Sequence, residues 1–256
     1  MCLIALSWQP GSDQPLLLLA NRDEQHARPA AALAAWDDAP HVLAGRDLSA
    51  GGTWLGVTRQ GRFAALTNYR EPGAAAGTRS RGHLVADFLR GELDPHHYAE
   101  QLQAEAQDYA GFNLLLGDSG QLIYLSNRAE GGPQSLRPGV YGLSNALLDT
   151  PWPKLLDLRE GLRGLLGEES PPHDQALNLL MRREPYPDEV LPDTGVGLAL
   201  ERMLSPPFIC TPVYGTRCST WLRLARGEAE LVERSFDASG KARGDVYHRI
   251  DLEVSA

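Results

Sequence analysis

Cys2 is the residue of this chain whose type and position best suit it to chemistry. Cysteine is small, so the initiator methionine ahead of it is expected to be removed. The mature chain would then carry a thiol and a free α-amine on one residue. An α-amine has a pKa of about 7.7–8.0, against about 10.4 for lysine, so near neutral pH it can take up the thiol proton. Nucleophile and base then lie a few bonds apart and no histidine is required. The competing role is a small buried residue opening a strand, a common fate of free cysteine.

Further groups could complete such a site. Asn21-Arg22-Asp23-Glu24 directly follows the apolar run at residues 16–20. A strand antiparallel to the first would bring this cluster beside Cys2. There Arg22 would favour the thiolate, and Asp23 or Glu24 could orient the amine. Thr67-Asn68-Tyr69-Arg70 and Gly142-Leu143-Ser144-Asn145 each place an asparagine at the exit of a strand-like segment. An asparagine NH2 can donate to a developing oxyanion. Arg217 follows Gly215 and Thr216, small residues that let a backbone come close. Taken singly, each has an ordinary alternative: a solvated turn, turn asparagines, a surface arginine in a hairpin.

Other chemistries are not expected. Gly51-Gly52-Thr53-Trp54-Leu55-Gly56 lacks the Lys-Ser/Thr ending of a phosphate loop and precedes a strand, so it is read as close backbone packing. The seven histidines form no HxH or HExxH pattern, with His96-His97 on a helical stretch. Cys2, Cys210 and Cys218 form no CxxC. Neither a metal site, a disulfide framework nor a cofactor is expected.

These residues must be held by elements, and the pattern predicts many strands. Residues 2–8 and 15–20 read as strands, followed by a loop rich in Ala and Pro. Residues 53–58 and 62–67 read as two strands joined at Gln60-Gly61. The segment 82–90 has a helical apolar face (Leu84, Val85, Phe88, Leu89). Asp94-Pro95 caps a helix running to about residue 109. Strands return at 112–117 and 121–126. Residues 152–166 are helical, a second helix restarts at Ser170-Pro171 and runs to about Arg183, and 184–195 reads as an exposed loop. Strands near 208–211, 219–225 and 229–236 follow, with 246–252 a candidate fourth. Strands at both ends with helices between predict a layered α+β architecture of antiparallel sheets with helices outside, one domain over residues 1–256.

Composition sets the remaining bounds. Of 256 residues, 43% are apolar, enough for a sizeable core, and 22% are charged, which excludes disorder as the main state. The longest apolar runs fall well short of the ~20 residues that span a bilayer. The net charge of -9 makes nucleic acid a poor partner. Only Lys154 and Lys241 are lysines among the 24 cationic residues, a bias given no functional weight. The N-terminus lacks a positive region and a long apolar stretch, so no signal peptide or lipid anchor is expected, and a reducing cytoplasm fits best.

Met1-Cys2, Ala20-Asn21-Arg22-Asp23-Glu24, Gly51-Gly52-Thr53-Trp54-Leu55-Gly56, Leu66-Thr67-Asn68-Tyr69, Tyr141-Gly142-Leu143-Ser144-Asn145-Ala146 with Thr150-Pro151-Trp152, and Tyr214-Gly215-Thr216-Arg217 together resemble the NRDE family. This is the family of transport and Golgi organisation protein 2. The match runs in order from residue 1 to at least 220. That family is similar to N-terminal nucleophile hydrolases of the penicillin V acylase and bile salt hydrolase type. The resemblance implies a four-layer αββα sandwich, with Cys2 as nucleophile and Arg22 and Asp23 as its tuning pair. Asn68 and Asn145 would be the oxyanion and orienting residues, and Arg217 the late arginine. One departure stands out: those hydrolases separate their Arg and Asp by two residues, whereas Arg22 and Asp23 are adjacent. Neighbours on a strand point to opposite faces, so either the strand bulges or Glu24 takes the carboxylate role. Two functions follow as expectations. One is an N-terminal cysteine amidohydrolase acting on the amide bond of a small acylated substrate. The alternative is a non-catalytic carrier or chaperone for haem or acyl lipids on the same scaffold, family members being linked to haem movement and lipid metabolism. The sequence leaves self-association open.

Overall fold

Alternation along Leu16–Gln25 decides the layering. Leu16, Leu18 and Ala20 turn to one side, where they meet Ile4, Leu6 and Trp8 together with Leu55, Val57, Phe63 and Leu115. Leu17 and Leu19 turn to the other, against Leu3, Ala5, Leu155, Leu158 and Leu162. A strand buried on both faces reads as a continuous apolar run, and each fully buried leucine contributes about 1.5–3 kcal/mol.

The computed structural model describes residues 2–74, 76–166 and 172–253. Among them are strands β1 (Cys2–Trp8), β2 (Leu16–Gln25), β3 (Ala30–Trp36), β4 (Ala39–Asp47), β5 (Leu55–Thr58) and β6 (Phe63–Asn68). Helices α1 (Gly82–Arg90) and α2 (Pro95–Glu105) follow, then β7 (Phe112–Gly117), β8 (Leu122–Ser126), β9 (Gln134–Ser135) and β10 (Gly139–Leu143). The rest comprises α3 (Pro153–Leu165), α4 (His173–Asn178), α5 (Leu198–Leu204), β11 (Tyr214–Ala225), β12 (Glu228–Phe236) and β13 (Ala242–Asp251).

The strands form two antiparallel sheets, one ordered β10-β1-β2-β11-β12-β13 and the other β3 to β9 in sequence order. Their inner faces share one core. The outer face of the first sheet is covered by α3 and α4. That of the second is covered by α1 and α2 through Leu84, Val85, Phe88, Ala99 and Leu102. This is the αββα sandwich that the motifs implied, with the first and last strands in one sheet.

Several elements depart from the sequence pattern. The expected loop after Glu24 contains β3 and β4. In β3 burial recurs at Leu33 and Trp36 rather than at alternate residues, and register shifts interrupt its pairing with β4. An alanine-rich, bulged strand carries neither the alternation nor the propensity of a strand. α5 buries only Glu201 and Leu204 and so has no apolar face to detect. Residues 208–211 form a single bridge, Cys210 to Gly215, rather than a strand. The helix start expected at Ser170-Pro171 lies outside the described residues, and α4 ends at Asn178, short of Arg183. The Asp94 cap is as expected: its carboxylate accepts from the backbone N–H groups of His96 and His97, a contribution of about 1 kcal/mol. α2 itself stops at Glu105, and a short 3-10 turn continues to Asp108.

Candidate active site

The antiparallel pairing of β1 with β2 sets Cys2 directly opposite Arg22. Directly opposed residues share a sheet face, so thiol and guanidinium lie on the same side. Alternation carries that side inward: the Arg22 guanidinium stacks over the Trp54 ring at 4.2 Å, a contact worth about 0.5–2 kcal/mol. Both residues line a cavity of about 400 Å³ together with Cys2, Glu24, Thr53 and Asn68.

Asp23 turns the other way. Its Oδ1 accepts from the Thr216 hydroxyl at 2.7 Å, and its side chain is almost completely buried. Burial pushes its carboxyl above the usual range, while the charges of Lys154 and Arg22 and the Thr216 bond pull it down. The adjacent Arg22 and Asp23 therefore obey strand alternation. The break in register lies in the partner strand, between Thr216 and Cys218, with Arg217 at the irregularity. Glu24 shares the cavity, with its Oε2 at 4.0 Å from both Arg22 and Arg28. Two carboxylates thus serve the two faces.

The Cys2 thiol is pushed above its ordinary value chiefly by burial, with the Asp23 charge adding to it and the N-terminal charge opposing it. Arg22 and the backbone N–H of Asp23 act in the opposite direction. Arg22 favours the thiolate as expected, but burial outweighs it. A nucleophile of this kind works by handing its proton to a nearby base rather than by standing ionised.

Asn68 ends β6 at the cavity wall. Asn145 is buried behind it and donates its side-chain amide to the Asn68 carbonyl at 2.8 Å, while the Arg70 N–H donates to the Asn145 carbonyl at 2.7 Å. Asn145 is not among the residues lining the cavity, so the two asparagines stand one behind the other, with only Asn68 at the wall. Arg217 stands apart. Its Nη1 donates to the carbonyls of Gln25, His26 and Arg28 at 2.9, 3.3 and 3.1 Å. It lines a second cavity of about 230 Å³ with Cys218 and Glu233, on the far side of Arg22 and Trp54.

Behind Asp23 lies a buried polar layer. Lys154 is buried, donates Nζ to the Leu204 carbonyl at 2.9 Å, and is pushed down to about 8 by burial against the opposing charge of Asp23. Arg70 and Glu201 form a buried ion pair at 2.6 Å. Sequence inspection singled out neither Lys154 nor this pair.

It also missed the arginines of the cavity mouth. Arg28, Arg79 and Arg81 line it with Arg22. The signal that could have found them is the Gly51-Gly52 pair: a Cβ at Gly52 would collide with the Gly82 carbonyl, and the Thr53 N–H donates to that carbonyl at 3.1 Å. Close packing there pins the start of α1, and with it Arg81, over the cavity. Among the described residues no cluster of His, Cys, Asp or Glu could hold a metal ion, and no helix is long and apolar enough to cross a membrane.

A family model described as Transport and Golgi organisation 2 matches residues 1–238. The Transport and Golgi organization protein 2 homolog of Bos taurus is 37% identical over 267 residues, covering 96% of this chain and 97% of that protein. The Homo sapiens homolog is 37% identical over 257 residues, covering 92% and 93%. Among solved structures, a Caenorhabditis elegans ortholog of N-acylethanolamine-hydrolyzing acid amidase aligns with a TM-score of 0.50 at 10% identity, covering 86% of this chain and 92% of that one. Likeness at that identity concerns the fold.

Proposed function

The chain belongs to the Transport and Golgi organisation 2 family, and from that starting point we propose that it is an N-terminal cysteine amidohydrolase that cleaves the C–N bond of a small acylated amide. The observation that carries the proposal is the placement of Cys2 opposite Arg22, at the wall of a cavity that Asn68 also lines. The fold shared with a solved amidase ortholog is consistent with it.

In this mechanism the Cys2 sulfur attacks the amide carbon and its proton passes to the freed α-amine of the same residue. The tetrahedral oxyanion is held by donors at the Asn68 end of β6, with Asn145 fixing that backbone from behind. The α-ammonium then protonates the leaving nitrogen, the C–N bond breaks and a thioester remains. Water, deprotonated by the α-amine, adds to the thioester; the C–S bond breaks and the thiol regains its proton. Arg22 stabilises the sulfur as its charge develops, and Asp23 or Glu24 orients the amine. Arg217 shapes the β2–β11 junction from outside the cavity. The domain spans residues 1–256, and a cytoplasmic setting suits the three free cysteines.

The test is to incubate the full chain with a panel of N-acyl amides and quantify released acid and amine. Equal yields of both from the wild type, and neither from Cys2→Ala, are expected. A Cys2→Ala protein that still hydrolyses would refute the assignment. A wild type that binds the amides without cleaving any of them would instead favour a carrier.

A further inference from the structure

We propose that the Cys2 cavity contains an anion subsite built by Arg81 and Arg79, and that the ligand carries a carboxylate or phosphate there. That the ligand is a substrate rests on the amidohydrolase proposal; the subsite does not.

Four guanidinium groups line the cavity: Arg22, Arg28, Arg79 and Arg81. Three carboxylates line it too, but each is engaged. Asp23 bonds Thr216 on the opposite face of β2. Asp47 accepts Arg28 Nε at 2.7 Å and the N–H groups of Ser49 and Ala50. Glu24 sits between Arg22 and Arg28. The acids thus serve Arg22 and Arg28 and leave the other two arginines without a carboxylate partner among the cavity walls.

Arg79 pairs with Glu105, which does not line the cavity; both are exposed. Such a surface pair contributes little and exchanges readily for a better partner. Arg81 forms no ion pair among the described residues. It is half-buried, and its Nη1 donates to the Gly111 carbonyl at 2.9 Å. One edge of the guanidinium is therefore fixed by the backbone. The remaining donors form a planar fork that fits the two oxygens of a carboxylate or phosphate.

The segment carrying these arginines is held firmly. A Cβ at Gly77 would collide with the backbone at Asp108–Ala110. The Arg79 N–H donates to the Asp108 carbonyl at 3.1 Å, and the Gly82 carbonyl accepts from Thr53. The fork is thus held over the nucleophile's cavity before any ligand arrives, which limits the ordering cost of binding.

Binding to full-length Cys2→Ala, measured by calorimetry, separates this subsite from catalysis. The probes are N-phenylpentanamide, which is neutral, N-phenylglutaramic acid, with a carboxylate on the acyl side, and para-pentanamidobenzoate, with one on the amine side. Inorganic phosphate serves as competitor. At low salt at least one anionic probe is expected to bind about tenfold more tightly than the neutral one, the gain of one charge-assisted hydrogen bond. Salt should weaken that preference, Arg81→Gln should remove most of it, Arg79→Gln should reduce it, and Arg81→Lys should retain part. Displacement by phosphate would assign the subsite to phosphate as well as carboxylate. Equal affinity for all three probes, no binding of either anionic one, or a preference that survives both Arg81→Gln and Arg79→Gln would overturn the proposal. An Arg81-dependent preference in a wild type that hydrolyses none of the amides would sink the hydrolase and leave the subsite standing. Hydrolysis without preference would do the reverse.

Discussion

Cys2 and Arg22 face each other in antiparallel register on neighbouring strands, so the thiol and the guanidinium share one face of the sheet. Burial and Asp23 raise the thiol, and Arg22 lowers it. Arg22→Gln should therefore raise it further and slow alkylation of Cys2 about tenfold near neutral pH, whereas Asp23→Asn should speed it. Iodoacetamide labelling across pH, read on the N-terminal peptide by mass, checks both signs. Faster labelling in Arg22→Gln would contradict the placement.

The two asparagines predict different losses. Asn68→Ala should lower kcat by about 10²–10³ with little change in KM, as loss of an oxyanion donor does. Asn145→Ala removes the bond to the Asn68 carbonyl. It should cost about 1–2 kcal/mol of stability and lower kcat less than Asn68→Ala. Steady-state kinetics on a cleaved amide, with urea melts of the same variants, separates the two roles.

Arg217 ties down three carbonyls at the end of β2 and its following turn. Arg217→Ala should lose about 1–3 kcal/mol of stability and leave the pH dependence of Cys2 alkylation where it was. A shift in that profile with unchanged stability would return Arg217 to the nucleophile's immediate surroundings.

Lys154 gives a pH signature. Its amine is pushed down to about 8 in the fold from an ordinary 10.5. Between those values the unfolded chain holds the proton and the folded chain does not, so stability rises with pH. Lys154→Met lacks this contribution. The stability of the wild type relative to the variant should therefore climb by about 3 kcal/mol across that window. Urea melts at several pH values measure it, and a flat or falling difference would contradict the burial of a charged amine there.

The parts of the site legible in the sequence were those fixed by local rules. Cys2 and Arg22 could be brought together by two short strands, and Arg22 and Asp23 had to face apart unless the strand bulged, which β2 does not do there. What pairing decides was hidden. The register break sits in β11 at Thr216–Cys218, and nothing in Tyr214-Gly215-Thr216-Arg217 says which cavity Arg217 will line. Lys154 gave no signal because its partners, Asp23 and the Leu204 carbonyl, are remote in sequence. Arg81 was harder to place: the Gly51-Gly52 pair marks a close approach, but only the fold shows that Gly82 is what approaches it. β3 escaped because bulges erase the period on which strand recognition relies.

The N-terminal peptide of protein purified from its own organism, captured by acid quench during turnover of an amide and weighed by mass spectrometry, decides whether Cys2 is the nucleophile. The expected mass is that of a chain beginning at Cys2 and carrying the acyl group of the substrate on that residue, with no adduct on Cys210 or Cys218. A chain that still begins with Met1, or amide cleavage with the acyl group on any other residue, would contradict it.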